Sequence, residues 1–214
     1  MPFIVQAVVH PAPGCGDSVK PLLEEQVKRL HAGGRRANLA MLLFGGARDF
    51  YLNQLVANLA DVDAYLATPE SQIDADWLAK LAPMLAERTS FNLGEVVLPM
   101  VAGSGQRPAF NYQATLYPRP DVGPARALVD LAVEVARHDR KNGVRASVGM
   151  LVAGEGDGRI FASHAFDSLA EIERFRQNTR EDADRRKIIE QGLPLMARPV
   201  SFEIRRILVP MQPG

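Results

Sequence analysis

Hydrophobic and polar positions alternate from Phe3 to His10, a period of two that predicts a β-strand, and the turn Pro11-x-Pro13 ends it because proline cannot donate to a ladder. The period then changes. Val19, Leu22, Leu23, Val27 and Leu30 recur at helical spacing, so Ser18 to His31 is predicted as a helix, with Asp17 or Ser18 as its N-cap and Gly33-Gly34 as its stop. Arg36 to Phe44 reads as an apolar second strand, Gly45-Gly46 as the start of a turn, and Tyr51 to Val56 as a third strand forming a hairpin with the second. Helical pattern returns around Val62 to Leu66, breaks at Pro69 and resumes from Asp74 to Met84, and TSFNLGEVVLPM supplies a fourth strand.

The same order of patterns then runs a second time. FIVQAVVHPAPGCG matches FNYQATLYPRPDVG at an offset of 107, pairing Gln6 with Gln113, and RANLAMLLFGG matches RASVGMLVAGE at 109. YLNQLVANLADVDAY matches FASHAFDSLAEIERF at 110, and TSFNLGEVVLPM matches VSFEIRRILVPM at 111. Ser168 to Gln191 reads as one long charged helix, capped by Asp167 or Ser168 and stopped at Gly192. Collinear matches whose offset drifts only from 107 to 111 are the mark of a repeat. The chain is therefore expected to be α+β: two ferredoxin-like βαββαβ repeats, residues 1–100 and 109–214, joined by a Gly-, Ser- and Pro-rich linker at 101–108.

A four-stranded antiparallel sheet with both helices on one face leaves its other face bare, and a bare face must be covered. Each copy can cover the other. Face-to-face packing of the two sheets would make an intramolecular barrel with a central cavity, a natural place for a ligand.

In these features the chain resembles a tandem member of the dimeric α/β-barrel superfamily and, within it, NIPSNAP-like proteins. RIFASHAFDSLAEIERF and SFEIRRILVPM carry the likeness, echoed by LNQLVANLADVDAY and SFNLGEVVLPM in the first half. They are similar to the family's aromatic-Asp-Ser-Leu helix start and its terminal strand ending in Leu-x-Pro. The first half departs from it, with Ala60-Asp61 where the second has Asp167-Ser168-Leu169. The resemblance implies a fold more than an activity, since related barrels include monooxygenases, haem-handling enzymes and isomerases. One reading is a protein that binds a small molecule or a protein partner. The alternative is a cofactor-independent monooxygenase or isomerase acting on a small aromatic or polyketide-like substrate.

Strand alternation sorts the candidate chemistry. Gln6, Val8 and His10 share one face, as do Asn111, Gln113, Thr115 and Tyr117, and this more polar row is expected to face the barrel. Gln6, Gln113 and Tyr117 are then candidates for holding substrate, unless they are solvated rim residues or an internal polar cluster. His10 and His164 are the candidate proton acceptors, because imidazole titrates near neutral pH. His31 and His138 fall at helix ends, where a cation complements the dipole. Glu203 and Arg205 project to one face of the last strand and Arg206 to the other; Arg206, matched with Glu95, is the candidate for an anionic substrate.

Composition narrows the partners. Lys plus Arg and Asp plus Glu each number 25, so there is no basic excess for nucleic acid, and zero net charge favours self-association into a homo-oligomer. One cysteine, Cys15, cannot form an internal disulfide, and MPFIVQAVVHPAPG has no basic leader, which makes the cytoplasm the expected compartment. No apolar run approaches the ~18 residues of a membrane span. No HxH, HxxxH or Cys pair suggests a metal, no GxSxG suggests a serine nucleophile, and no glycine-rich loop suggests a nucleotide, so no cofactor is expected. The run from Arg176 to Lys187 mixes charges at helical spacing and reads as a solvated face.

Overall fold

The computed structural model describes residues 1–44, 48–66, 75–100, 110–121, 125–155 and 158–212. Its first half runs β1 (Phe3–Val9), α1 (Gly16–Ala32), β2 (Arg36–Leu42), β3 (Phe50–Val56), α2 (Leu59–Leu66), α3 (Ala75–Leu81) and β4 (Ser90–Leu98). The second runs β5 (Tyr112–Pro120), α4 (Ala125–Lys141), β6 (Arg145–Gly154), β7 (Ile160–Phe166), α5 (Leu169–Glu181), α6 (Ala183–Gly192) and β8 (Met196–Val209). The predicted Gly45-Gly46 turn, the break at Pro69 and the 101–108 linker lie outside the described residues. No helix of the described residues is long and apolar enough to cross a membrane.

All eight strands join one closed antiparallel barrel in the order β1-β3-β2-β8-β5-β7-β6-β4. The order within the first half is β4-β1-β3-β2 and within the second β8-β5-β7-β6. Two seams close the ring, β2 against β8 and β4 against β6.

The ladders of the two halves follow the same register. Gln6 stands between Asn53 and Asn92, and Thr115 stands in the same way between Ser163 and Glu203. Asn38 faces Asn53 as Ser147 faces Ser163. The first strands are thus related by 115 − 6 = 109 rather than 107, and α1 and α4, 17 residues each, begin 125 − 16 = 109 apart. Matching the QA and Pro-x-Pro letters slipped β5 by two residues, one full period of a strand, so every side chain kept its face. What changes is the partnering: Gln6 corresponds to Thr115 and Val8 to Tyr117, and Gln6 is not the counterpart of Gln113.

Helices cover the outside. Val19, Leu23 and Val27 of α1 pack on Leu39 and Phe50, and Leu128, Val129 and Val133 of α4 pack on Ala146, Val148 and Ile160. The first helix begins two residues before the predicted start, with Cys15 at the N-cap and Asp17 in the first turn, where its carboxylate complements the dipole. It ends as expected at Gly33, with Gly34 in the left-handed region at φ 74°. The predicted long helix after β7 is two helices. Ser168 caps α5 by accepting from the Glu171 amide (3.2 Å), and Asp182 caps α6 by accepting from the Arg185 amide (2.9 Å). Asp182 also bonds His138 of α4 (2.7 Å), which fixes the break against the neighbouring helix.

Candidate functional site

The barrel holds a partly open cavity of about 590 Å³, a size suited to a small organic ligand. Because alternate residues of each strand face inward, its wall is written in every second position. Ile4 and Gln6 of β1, Arg36 and Asn38 of β2, and Asn53 and Leu55 of β3 line one side. Gln113 and Tyr117 of β5, Arg145 and Ser147 of β6, Phe161 and Ser163 of β7, and Arg205 and Ile207 of β8 line the other.

The first half carries a relay of amides across four strands. Asn92 Nδ2 donates to Gln6 Oε1 (3.4 Å), Gln6 Nε2 to Asn53 Oδ1 (2.9 Å), and Asn53 Nδ2 to Asn38 Oδ1 (2.9 Å). All four residues are buried, and the mutual bonding offsets the cost of taking these polar groups out of water. Three of the four matching positions of the second half hold smaller groups, Thr115, Ser163 and Ser147, with Thr115 Oγ1 and Ser163 Oγ sharing a 2.9 Å bond, and the fourth is the carboxylate Glu203.

Arg205 is the centre of the second half's chemistry. It is 2% exposed, its guanidinium carbon lies 3.4 Å from the centre of the Tyr51 ring, and its Nη2 donates to Tyr117 Oη at 2.5 Å. Nε and Nη2 also donate to Glu203 Oε2, at 3.0 and 2.5 Å. Burial alone would weaken this cation, but the Tyr117 phenol, the Glu203 carboxylate and the Tyr51 phenol around it outweigh burial, and the guanidinium stays charged. Burial in turn pushes the Tyr51 and Tyr117 phenols up, and Arg205 pulls the other way without offsetting it. Tyr117 is therefore a neutral phenol that accepts from Arg205 and keeps its own proton to donate.

Two glycines make room for the Phe161 ring. A Cβ on Gly149 would come within 2.1 Å of Phe161 Cζ and 2.4 Å of the Glu95 carbonyl oxygen, and one on Gly94 within 3.1 Å of Phe161 Cε1. Without side chains there, the Phe161 ring lies inside the barrel and gives the cavity a flat aromatic wall.

Of the residues singled out from sequence, Gln6, Gln113 and Tyr117 line the cavity. The other three do not. His10 follows β1, with Nδ1 3.0 Å from Asp49 and 3.6 Å from Glu87. His164 is on the helix-facing side of β7, because strand alternation gives the inside to Phe161 and Ser163; its Nε2 is 2.8 Å from Asp139 of α4, and its ring packs on Phe175. Arg185 of α6 bonds the same carboxylate at 2.8 Å. Arg206 is exposed on the outer face, and its neighbour Arg205 takes the inward position. Sequence reasoning put Arg205 and Glu203 on one face without choosing it, and passed over Arg36, Asn38, Asn53 and Arg145. Their signal was the same alternation, read along β2, β3 and β6.

Comparison with known proteins bears on the fold. The chain matches no family profile and no curated sequence. It does match solved structures: a candidate monooxygenase from Fusobacterium nucleatum superposes with a TM-score of 0.72 at 9% identity, over 97% of this chain and 92% of that one. An anthrone oxidase-like protein gives 0.67 at 12% identity, over 97% and 91% of the two chains. A candidate monooxygenase from Lactobacillus acidophilus gives 0.67 at 10%, over 99% and 98%. The fold is that of the dimeric α/β-barrels. In this chain all eight strands close one barrel, and the cavity wall draws on both halves.

Proposed function

We propose that the barrel binds a small aromatic molecule bearing an ionisable phenol or enol, and that Arg205 and Tyr117 stabilise its anion. One observation carries this reading: a charged guanidinium, buried in the cavity wall against two phenols, whose Nη1 makes no hydrogen bond among the described residues. A fixed, buried cation favours the charged form of a neighbouring acid, so a bound phenol or enol ionises at lower pH than in water. The Tyr117 hydroxyl supplies a second donor to the same oxygen, and Phe161 offers a ring to stack on.

Such an anion can reduce dioxygen itself. A benzylic CH2 next to an enolisable carbonyl gives a proton to water, the carbanion gives an electron to O2, the two radicals combine to a peroxide anion that takes a proton back from water, and the hydroperoxide loses water. The sum is CH2 + O2 → C=O + H2O. Solved structures named as monooxygenases or anthrone oxidase-like agree in kind with this step. Isomerisation fits less well, since it needs a group that returns a proton to a second carbon, and no histidine lines the cavity among the described residues.

We further read residues 1–100 and 109–214 as copies of one ferredoxin-like unit, supported by the matching strand orders and the 109-residue spacing of α1 and α4. The NIPSNAP-like reading draws its support from the Phe166-Asp167-Ser168-Leu169 helix start, where Ser168 caps α5. Balanced charge supports self-association.

Alizarin, a dihydroxyanthraquinone whose absorption moves to longer wavelength on ionisation, tests the site. Bound to the protein it should ionise about one pH unit lower than when free, since one unit corresponds to roughly 1.4 kcal/mol of charge stabilisation. Arg205→Met should bind the dye without the colour change, and Arg205→Lys should keep part of it. A dye that fails to bind, or a shift that survives Arg205→Met, removes the proposal. Oxygen uptake with a hydroxyanthrone tests the redox step, which fails if uptake does not exceed the buffer rate.

A further inference from the structure

We infer that the ligand also carries a fixed anionic group, a carboxylate or its equivalent, and that Arg36 binds it. This rests on the proposed aromatic site and adds a second anchor to it. Three arginines line the cavity, Arg36, Arg145 and Arg205, and no carboxylate does so among the described residues. Two of the three cations are already paired: Glu203, two residues away on the same face of β8, holds Arg205 at 2.5 Å, and Asp167 holds Arg145 at 2.7 Å. The Arg36 side chain has no ion pair or hydrogen bond among the described residues, and its Nε is buried without a partner. Among the described residues the cavity therefore carries one positive charge in excess.

A buried N–H without an acceptor is rare in folded proteins, and on a charged group it is costly. Arg36 also stands among apolar neighbours. Leu55 lies beside it in the ladder, with Ile4 next to Leu55, and both share the cavity wall with it, so an anion there is poorly screened and strongly held. A guanidinium matches a carboxylate with two parallel bonds, which fixes orientation as well as charge.

The two halves are unequal here. Arg145 occupies the register position of Arg36, 109 residues on, but spends its charge on Asp167 and lies 5.8 Å from the Phe110 ring. Of two equivalent cationic positions, one is engaged and one is open. The ligand then has a single orientation, with its acidic group on Arg36 and its ionisable hydroxyl on Arg205.

The test compares alizarin with alizarin-3-sulfonate, the same chromophore with one fixed negative charge. The wild-type protein should bind the sulfonate at least about tenfold more tightly. Arg36→Met should reduce that ratio to below about twofold, with alizarin's colour change in the same variant showing that the cavity is folded; Arg36→Gln serves as a second variant. Arg36→Lys should keep part of the preference, and Arg145→Met should lower it less than Arg36→Met does. Equal affinities in the wild type, with alizarin bound and shifted, overturn the acidic anchor and leave the aromatic site standing. A preference that survives both Arg36→Met and Arg36→Gln also overturns it. If neither dye binds, both proposals fall.

Discussion

Arg205 shows how much of this cavity depends on one side chain being answered. Its charge is met by Glu203, its face by Tyr51 and its Nη2 by Tyr117, from three different strands. Removing one member of a buried pair leaves the other uncompensated, at a cost of about 3 to 5 kcal/mol. Arg205→Met should therefore lower unfolding free energy by about 3 kcal/mol, and Glu203→Gln by somewhat less because Glu203 is partly exposed. The double variant should lose clearly less than the sum, as coupled neighbours do. Urea unfolding of the four proteins checks this, and simple additivity would show that the pair is not a unit. At this scale the sequence was half readable. Alternation along β8 separates Arg205 from Arg206, but which of them turns inward is decided by Tyr117, 88 residues away, and by Tyr51 on the other half. Gln6 stood out because its strand alternates cleanly. Asn53 did not, because Gln54 follows it and hides the period.

Between elements, the second half is clamped on its outside by a buried polar cluster. Asp139 of α4, 2% exposed, holds His164 of β7 and Arg185 of α6, so one carboxylate ties a strand to two helices. Burial would push this carboxyl up, but the hydrogen bonds from His164 and Arg185, together with their charges, outweigh it and hold it below its ordinary value of 3.8. A carboxyl depressed in the folded state contributes stability that is present above the unfolded value and lost as pH falls through the folded one. Asp139→Asn should thus cost about 3 kcal/mol at pH 7 by chemical denaturation. The gap between wild type and variant should narrow below about pH 4, as the wild type loses its ionic contribution. A gap that stays constant down to pH 3 would show that the charge of Asp139 does not matter. None of this was visible along the chain. The run from Arg176 to Lys187 reads as solvated and is mostly exposed, yet Arg185 is buried because its partner comes from a helix 46 residues earlier. The break at Asp182 has no glycine or proline to announce it; a carboxylate does the work by capping α6 and meeting His138.

For the molecule as a whole, local signals carried the architecture. Strand period, helix period and turn residues recur in each half without knowledge of tertiary contacts, and the eight strands and the closing of two sheets into a barrel follow from them. The exact spacing did not follow, because short identical turns invite a two-residue slip that leaves every face unchanged. With the register in place, the inner faces prove to be different surfaces on one frame: Asn38, Asn53, Gln6 and Asn92 on one side, Ser147, Ser163, Thr115 and Glu203 on the other. That difference should govern how the halves associate. Either half alone exposes two strand edges, so residues 1–100 and 101–214 made as separate chains must find partners. A pair of second halves would bring two copies of Arg205 and Glu203 into one interior, with Phe161 in the place of Tyr51 and Tyr117 in the place of Val8. Four charges, two of them fully buried guanidinium groups, and a second phenol where the native barrel has a valine, would crowd a space that now holds one such cluster. Co-expressed halves should therefore purify as a one-to-one complex on size exclusion and native mass spectrometry, and residues 101–214 alone should not yield a stable dimer. A second-half dimer as stable as the mixed complex would mean that the amide side is not needed to complement the arginine side.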